Sequence, residues 1–291
     1  MTTILTVPPS LDDGTFESLL QPLAALPDDA KLLLDARHTR WASPYGLVGL
    51  LTLAQSRHER PQFIPPEDAN TASYWARSGF FRHAEKLFEV TRPVPRSRTG
   101  DSNFFLELTP IAQTEDVQHV VAHIQERSKA IMETLGFPPS SAVGFSVVLS
   151  ESCQNIIEHA GGAGWVAVQT YDWSWQKRVA RRVVVIAVSD CGVGFRQSLS
   201  PTRGSADRWD DAAALEAAVL RATSRFRDPG RGQGLAGIRR YLAKWKAKLT
   251  IRSGTARIGI IPEWDDEPPM LEHLAQFPGA QMQIIIPQAV E

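Results

Sequence analysis

Apolar positions recur along this chain with two different spacings, and the switches between them outline an alternating order of strands and helices. TILTV and KLLLDA are apolar runs of strand length, whereas TFESLLQPLAAL and LVGLLTLAQS carry helical spacing. PQFIPPEDANTASYWARSGFF predicts a short strand, a turn and a helix stopping near Gly79. Tyr74, Trp75, Phe80 and Phe81 then fill a core or a domain interface. RPVPRSRTGD, with two prolines and three arginines, reads as a linker. FFLELTP predicts the next strand. After it Val117, Val120, Val121, Ile124, Ile131 and Leu135 form the apolar stripe of a long helix, capped by Thr114 and ended at Gly136. A second helix comes next, with Phe145, Leu149, Ser152 and Ile156 on its core side. WVAVQTY and RVVVIAVSD are strands joined by the tip DWSWQKRVAR. DAAALEAAVLRAT and LAGIRRYLAKWKAK are helical, and LTIRS, ARIGIIP and QMQIIIP are late strands. Two α/β units are expected, residues 1–94 and 102–291, with a linker over 95–101.

Composition narrows the class. The hydrophobic fraction of 43% and charged fraction of 22% are those of a globular protein, and 291 residues suffice for two domains. A formal net charge of −1 gives no electrostatic case for nucleic acid or an anionic membrane. MTTILTVPPSLDDG lacks the basic start and long apolar run of a signal peptide, and no stretch approaches the roughly 18 apolar residues of a membrane span. Cys153 and Cys191 make neither a CxxC nor a disulfide framework. A cytoplasmic location is the expectation.

Four stretches carry chemistry. In ESCQNIIEH, Glu151, Asn155, Glu158 and His159 fall on one helix face. Glu151 suits a general base, and the neutral oxygen of Asn155 suits a hard cation such as Mg²⁺. A solvated face gives the same spacing. VVVIAVSDCGVGF ends a strand at Asp190, an acceptor suited to an exocyclic amine such as that of adenine, followed by Gly192 and Gly194. An ordinary glycine turn reads identically. In RGQGLAGIRRYL, Gly232 and Gly234 precede a helix whose free N–H groups favour phosphate. GQGLAG also fits GxGxxG, but RDPGR before it is no strand and SGTAR stands where an acidic residue is needed, so a dinucleotide fold fails. There is no GxxxxGK[ST] either. The segment from about Phe195 to Arg231 suits a flap, with Thr223, Ser224, Arg225, Arg227 and Arg231 as phosphate contacts or ordinary surface residues.

Taken in order, these pieces resemble the GHKL ATPase superfamily of gyrase B, Hsp90, sensor histidine kinases and MutL. Glu151-x-x-x-Asn155 is similar to the N-box, Asp190-x-Gly192-x-Gly194 to the G1 box, and Gly232-x-Gly234-Leu235 to the G2 box. The resemblance covers about Ser102 to Gln288 and implies an α/β sandwich with a mixed sheet, binding ATP and Mg²⁺ under a mobile lid. SESCQNIIEHAGG is most similar to the anti-sigma-factor serine kinases, which implies Glu151 as base, Asn155 as Mg²⁺ ligand and Asp190 as adenine contact. FPGAQMQIIIP resembles the family's last strand, with Ala280 where a threonine is common and Thr255 as a candidate to supply that contact instead.

KLLLDARHTRWASPYGLVGLL is similar to the strand, loop and helix of STAS domains, the fold of anti-anti-sigma factors. Their phosphoacceptor serine falls on Tyr45, with Ser43 as a nearby substitute. The resemblance thus implies an ATP-binding signalling regulator: a GHKL-type ATPase or protein serine/threonine kinase working with STAS-domain or sigma-factor-type partners. A nucleotide-gated binding module with little turnover is the alternative, and a scaffold with degenerate boxes the third reading. The sequence leaves the oligomeric state open, a homodimer included.

Overall fold

The structure is a computed structural model that describes residues 2–27, 29–97, 104–160, 163–173, 181–200, 209–221 and 234–289. The chain starts with β1 (Thr2–Thr6), β2 (Ser10–Leu11), α1 (Asp13–Leu20) and a 3₁₀ turn over Gln21–Ala25. Then come β3 (Lys31–Asp35), β4 (Trp41–Ala42), α2 (Pro44–Gln55), β5 (Gln62–Ile64), α3 (Ala69–Arg77), α4 (Phe80–Leu87) and β6 (Glu89–Val90). Strands β1, β3, β5 and β6 pair in that order, all parallel. Local chemistry sets the helix starts. Asp12 accepts from the Thr15 N–H at 2.9 Å, and Asp68 from the Thr71 N–H at 2.8 Å. Ser43 caps α2 ahead of Pro44, whose missing N–H costs nothing in a first turn.

The remaining elements are β7 (Phe104–Ile111), α5 (Thr114–Thr134), α6 (Ser141–Asn155), β8 (Gly164–Trp173), β9 (Arg181–Asp190), α7 (Gly194–Leu199) and α8 (Asp211–Val219). They continue with α9 (Gly234–Trp245), β10 (Lys248–Gly254), β11 (Ala256–Ile260), β12 (Met270–Leu271) and β13 (Phe277–Pro287). Their sheet has the order β12-β11-β10-β13-β9-β8-β7. Every pairing described in it is antiparallel, where the resemblance implies a mixed sheet. Three of those pairings, β8–β9, β10–β11 and β11–β12, join strands that directly follow one another among the described elements, as antiparallel pairing allows.

Residues alternate across this sheet. Val184, Ile186, Val188, Ile284 and Ile286 join the core with α5, α6 and α9, so the sandwich is present. In α5 the expected stripe is buried, Val121 only in part, but the cap is Gln113 rather than Thr114, because Asp116 accepts from the Ala112 and Gln113 N–H groups. Trp165, Ala167, Ala187 and Phe277 face the other way and belong to the core of the first ninety residues. Helix α2 lies on this outer face, and every residue from Pro44 to Ala54 in it is buried. A helix apolar all round needs cover on every side, and the second sheet supplies it. Glycine permits the approach: a Cβ on Gly49 would stand 2.6 Å from the Phe16 ring and 2.7 Å from Gln281 Nε2.

Charged residues also meet across this contact. Lys248, 1% exposed, has its ammonium 3.6 Å from Asp13, 3.0 Å from Asp265 and 2.7 Å from Glu267. Burial pulls its pKa down, yet the three carboxylates together raise it above the usual lysine value. Among the described residues no helix is long and apolar enough to cross a membrane.

Candidate functional site

The helix with the polar face is α-helical only to Asn155; one π turn spans Ile156–Ala160. The unbroken spacing read from the sequence therefore stops short of Glu158 and His159, because a π turn bonds i to i+5 and shifts the phase of the residues within and beyond it. Phe145, Leu149, Ser152 and Ile156 are buried, as their spacing predicts. Glu158 stays on the same side: its carboxylate accepts from Gln154 at 3.2 Å, and its charge reaches Glu151. Desolvation first, and the Glu158 charge second, raise the Glu151 pKa above the usual carboxylate value. Such a carboxylate is a stronger base than one in water.

Helix α9 begins against this base. A Cβ on Gly234 would lie 2.5 Å from Glu151 Oε2 and 4.0 Å from Asn155 Oδ1. A side chain at 234 would push the Glu151 carboxylate out of this position. Leu235, half-buried, packs on the main core and fixes the start of the helix there. Asn155 Nδ2 is buried and, among the described residues, has no hydrogen-bond partner. Buried polar groups are nearly always paired, so this amide is free to serve a ligand.

Asp190 ends β9, 7% exposed. Burial pushes its pKa up to about 6 against the opposing pull of the Gly192 and Ala280 N–H groups, the former 2.9 Å away. Two glycines make room beside it. Gly194 has φ +71°, and a Cβ there would meet Ser253 Oγ at 2.7 Å; Gly279 has φ +66°, and a Cβ there would meet the Asp190 carbonyl oxygen at 2.1 Å. Asn155 and Asp190 line one cavity, walled by Ile156, Val188, Phe195, Ile251 and Met282. Its walls are mostly apolar, and the buried acceptor Asp190 stands at its edge.

Residues 141–269 match the family described as Histidine kinase-, DNA gyrase B-, and HSP90-like ATPase. Over that stretch the chain carries a GHKL-type domain. No curated protein matches the chain. One solved structure, a "Mycobacterial sensor histidine kinase MprB", is 15% identical, covers 62% of this chain and 99% of its own, and has a TM-score of 0.27. At that level the likeness decides nothing.

Within the GHKL-type domain, Glu151, Asn155, Asp190, Gly192, Gly194, Gly234 and Leu235 are all described, and Gly234 joins the first two directly. Thr223, Ser224, Arg225, Arg227, Arg231 and Gly232 lie outside the described residues. Ala280 does line the cavity. Thr255 does not replace it: its hydroxyl and N–H both donate to Asp211, each at 2.9 Å. Sequence reasoning does not single out Ser253 as a site residue, though its place in an alternating strand marks it. Its hydroxyl accepts from Phe195 and donates to the Gly279 carbonyl, tying the turn after Asp190 to β13. Cys153 is buried with its pKa pushed up to about 12, and burial also raises that of Cys191, so neither is a ready thiolate.

The loop aligned with the STAS phosphoacceptor is closed off in this chain. Ser43 is 2% exposed and its hydroxyl accepts from the Gly46 N–H at 3.2 Å; Tyr45 is 1% exposed. Neither presents an oxygen to a nucleotide or to another enzyme in this conformation.

Proposed function

We propose that the protein is an ATP-binding signalling regulator, a Mg-ATP-dependent protein serine kinase or ATPase of the anti-sigma-factor type that acts on or with STAS-domain or sigma-factor-type partners in the cytoplasm. The convergence of Glu151, Asn155 and Gly234 at one point, beside a cavity edged by Asp190, carries this reading. The residues fit the ligand. Asp190 accepts from the exocyclic amine of adenine, apolar walls take the ring, and the start of α9 offers N–H groups to phosphate. Asn155 would hold Mg²⁺, which keeps most of its waters and binds phosphate oxygens; when bound, the ion neutralises charge on the transferring group. Among the described residues no cluster of three acidic, histidine or cysteine groups offers a protein cage instead.

Glu151 takes the proton from a serine hydroxyl or a water as that oxygen attacks the terminal phosphorus, and the leaving diphosphate carries the displaced charge. Most of the acceleration comes from positioning. The burial of Ser43 and Tyr45 favours an acceptor on a partner, or water, over the chain's own loop. The N-terminal unit, which we read as STAS-like, then serves as a fixed layer. A second reading, a nucleotide-gated binding module, is supported less, because such a module has no use for a base of raised pKa. Incubation with γ-labelled ATP, alone and with STAS-domain proteins, separates them. Labelled protein or free phosphate supports catalysis; bound but unchanged ATP supports the module; no binding overturns both.

A further inference from the structure

Strand alternation places a second set of residues directly behind the nucleotide site. Asp190 and Ala280 face the cavity, so Ser189 and Gln281, their immediate neighbours, face outward. Ser189 and Gln281 are register partners, and the same rung runs to Trp165 on β8, Arg252 on β10 and Arg257 on β11. Each of the five is held by the N-terminal unit. Trp165 Nε1 donates to Gln55 at 2.7 Å, Thr52 Oγ1 to Ser189 Oγ at 2.9 Å, and the Tyr45 hydroxyl to Gln281 Oε1 at 3.3 Å. Arg252 donates twice to Glu17, at 2.7 and 3.1 Å, and Arg257 lies 3.6 Å from Asp13. Ser189 and Gln281 are fully buried, so water does not compete for these bonds.

Beyond their stabilising role, the middle two contacts have a particular place. Thr52 and Tyr45 grip β9 and β13 one residue away from Asp190 and Ala280, whose N–H group donates to the Asp190 carboxylate. We propose that Thr52 and Tyr45 are positioning residues for adenine recognition: they hold the two strands together on the outer face so that Asp190 stays aimed on the inner one. The proposal rests on the nucleotide reading above. By linkage, adenine seated at Asp190 tightens the docking of α2 in return.

The test uses the full chain and its Thr52→Val and Tyr45→Phe variants, titrated with Mg·ATP and, separately, with Mg·tripolyphosphate, which lacks the base. Phe88→Leu, in the N-terminal core away from the rung, controls for lost stability. Amide exchange of β9 and β13 is read without any nucleotide. Thr52→Val and Tyr45→Phe are each expected to weaken ATP about five-fold, leave tripolyphosphate unchanged and speed exchange at Ser189–Asp190 and Ala280–Gln281. Phe88→Leu should leave ATP affinity as in the native chain. Native-like ATP affinity in both rung variants, or an equal loss of ATP and tripolyphosphate, overturns the positioning role while the nucleotide reading stands. Absence of ATP binding to the native chain overturns both.

Discussion

Gly234 and Glu151 stand so close that one methyl group at position 234 would come within 2.5 Å of the glutamate's Oε2. The atom it would strike is the tip of a flexible side chain, which can swing aside. Gly234→Ala is therefore expected to displace the carboxylate while sparing the fold. ATP turnover should fall at least about ten-fold, as misplacement of a catalytic group does, with a melting temperature close to native. A collapse of stability instead would show that the glycine serves packing.

Glu151→Gln removes the base but keeps the shape. Turnover is expected to drop by about 10²–10⁴-fold, the usual worth of general acid–base catalysis, while ATP still binds. Because burial and Glu158 both disfavour the ionised form, the amide should match or slightly raise the melting temperature. Single-turnover kinetics and thermal melts check both halves; native turnover in the variant would remove Glu151 from the mechanism.

Asp190 gives a pH dependence with a defined sign. Its folded pKa of about 6 lies above its ordinary 3.8, so the fold favours the protonated acid. That stability is full below the ordinary value and is lost as pH rises through about 6, a loss on the order of 3 kcal/mol. Asp190→Asn should therefore melt higher than the native chain near pH 7.5, and the gap should close toward pH 4.5. Nucleotide affinity should move oppositely. In the native chain ATP binding weakens as pH falls through about 6, and in the variant it is weak throughout.

Lys248 is surrounded by Asp13, Asp265 and Glu267 in a buried contact between the two units. Lys248→Met leaves Asp265 without a cation among the described residues, while Asp13 and Glu267 keep Arg257, and breaking a buried pair costs about 3–5 kcal/mol. Chemical denaturation should show a loss of that size, and Asp265→Asn in the same background should recover part of it.

Much of the site is legible in the sequence because its residues sit on periodic elements with few alternatives. The alternation of VVVIAVSD puts Asp190 at a strand end, and helical spacing puts Asn155 one turn beyond Glu151. The π turn is not legible, since nothing in IIEHA breaks an α-helix. Sequence alone reads α4 only as aromatic filling: its buried Phe80, Phe81, His83 and Ala84 come after the left-handed Gly79, which looks like an end rather than a hinge between helices. The docking of α2 is half visible. PYGLVGLLTLAQ has no charged residue and so needs cover on all sides, but the sequence does not say that a distant sheet provides it. Conversely, Arg252 and Arg257 look like solvent-facing strand residues until Glu17 and Asp13, far away in sequence, come to meet them.

A titration of the full chain with Mg·ATP and with Mg·GTP tests the central claim most directly. Adenine turns an amine toward Asp190, whereas guanine would turn a carbonyl oxygen toward the same acceptor. Saturable ATP binding, with GTP weaker by about ten-fold or more, the worth of one mismatched buried hydrogen bond, is the expected result. No saturable ATP binding, or equal affinity for the two, would contradict it.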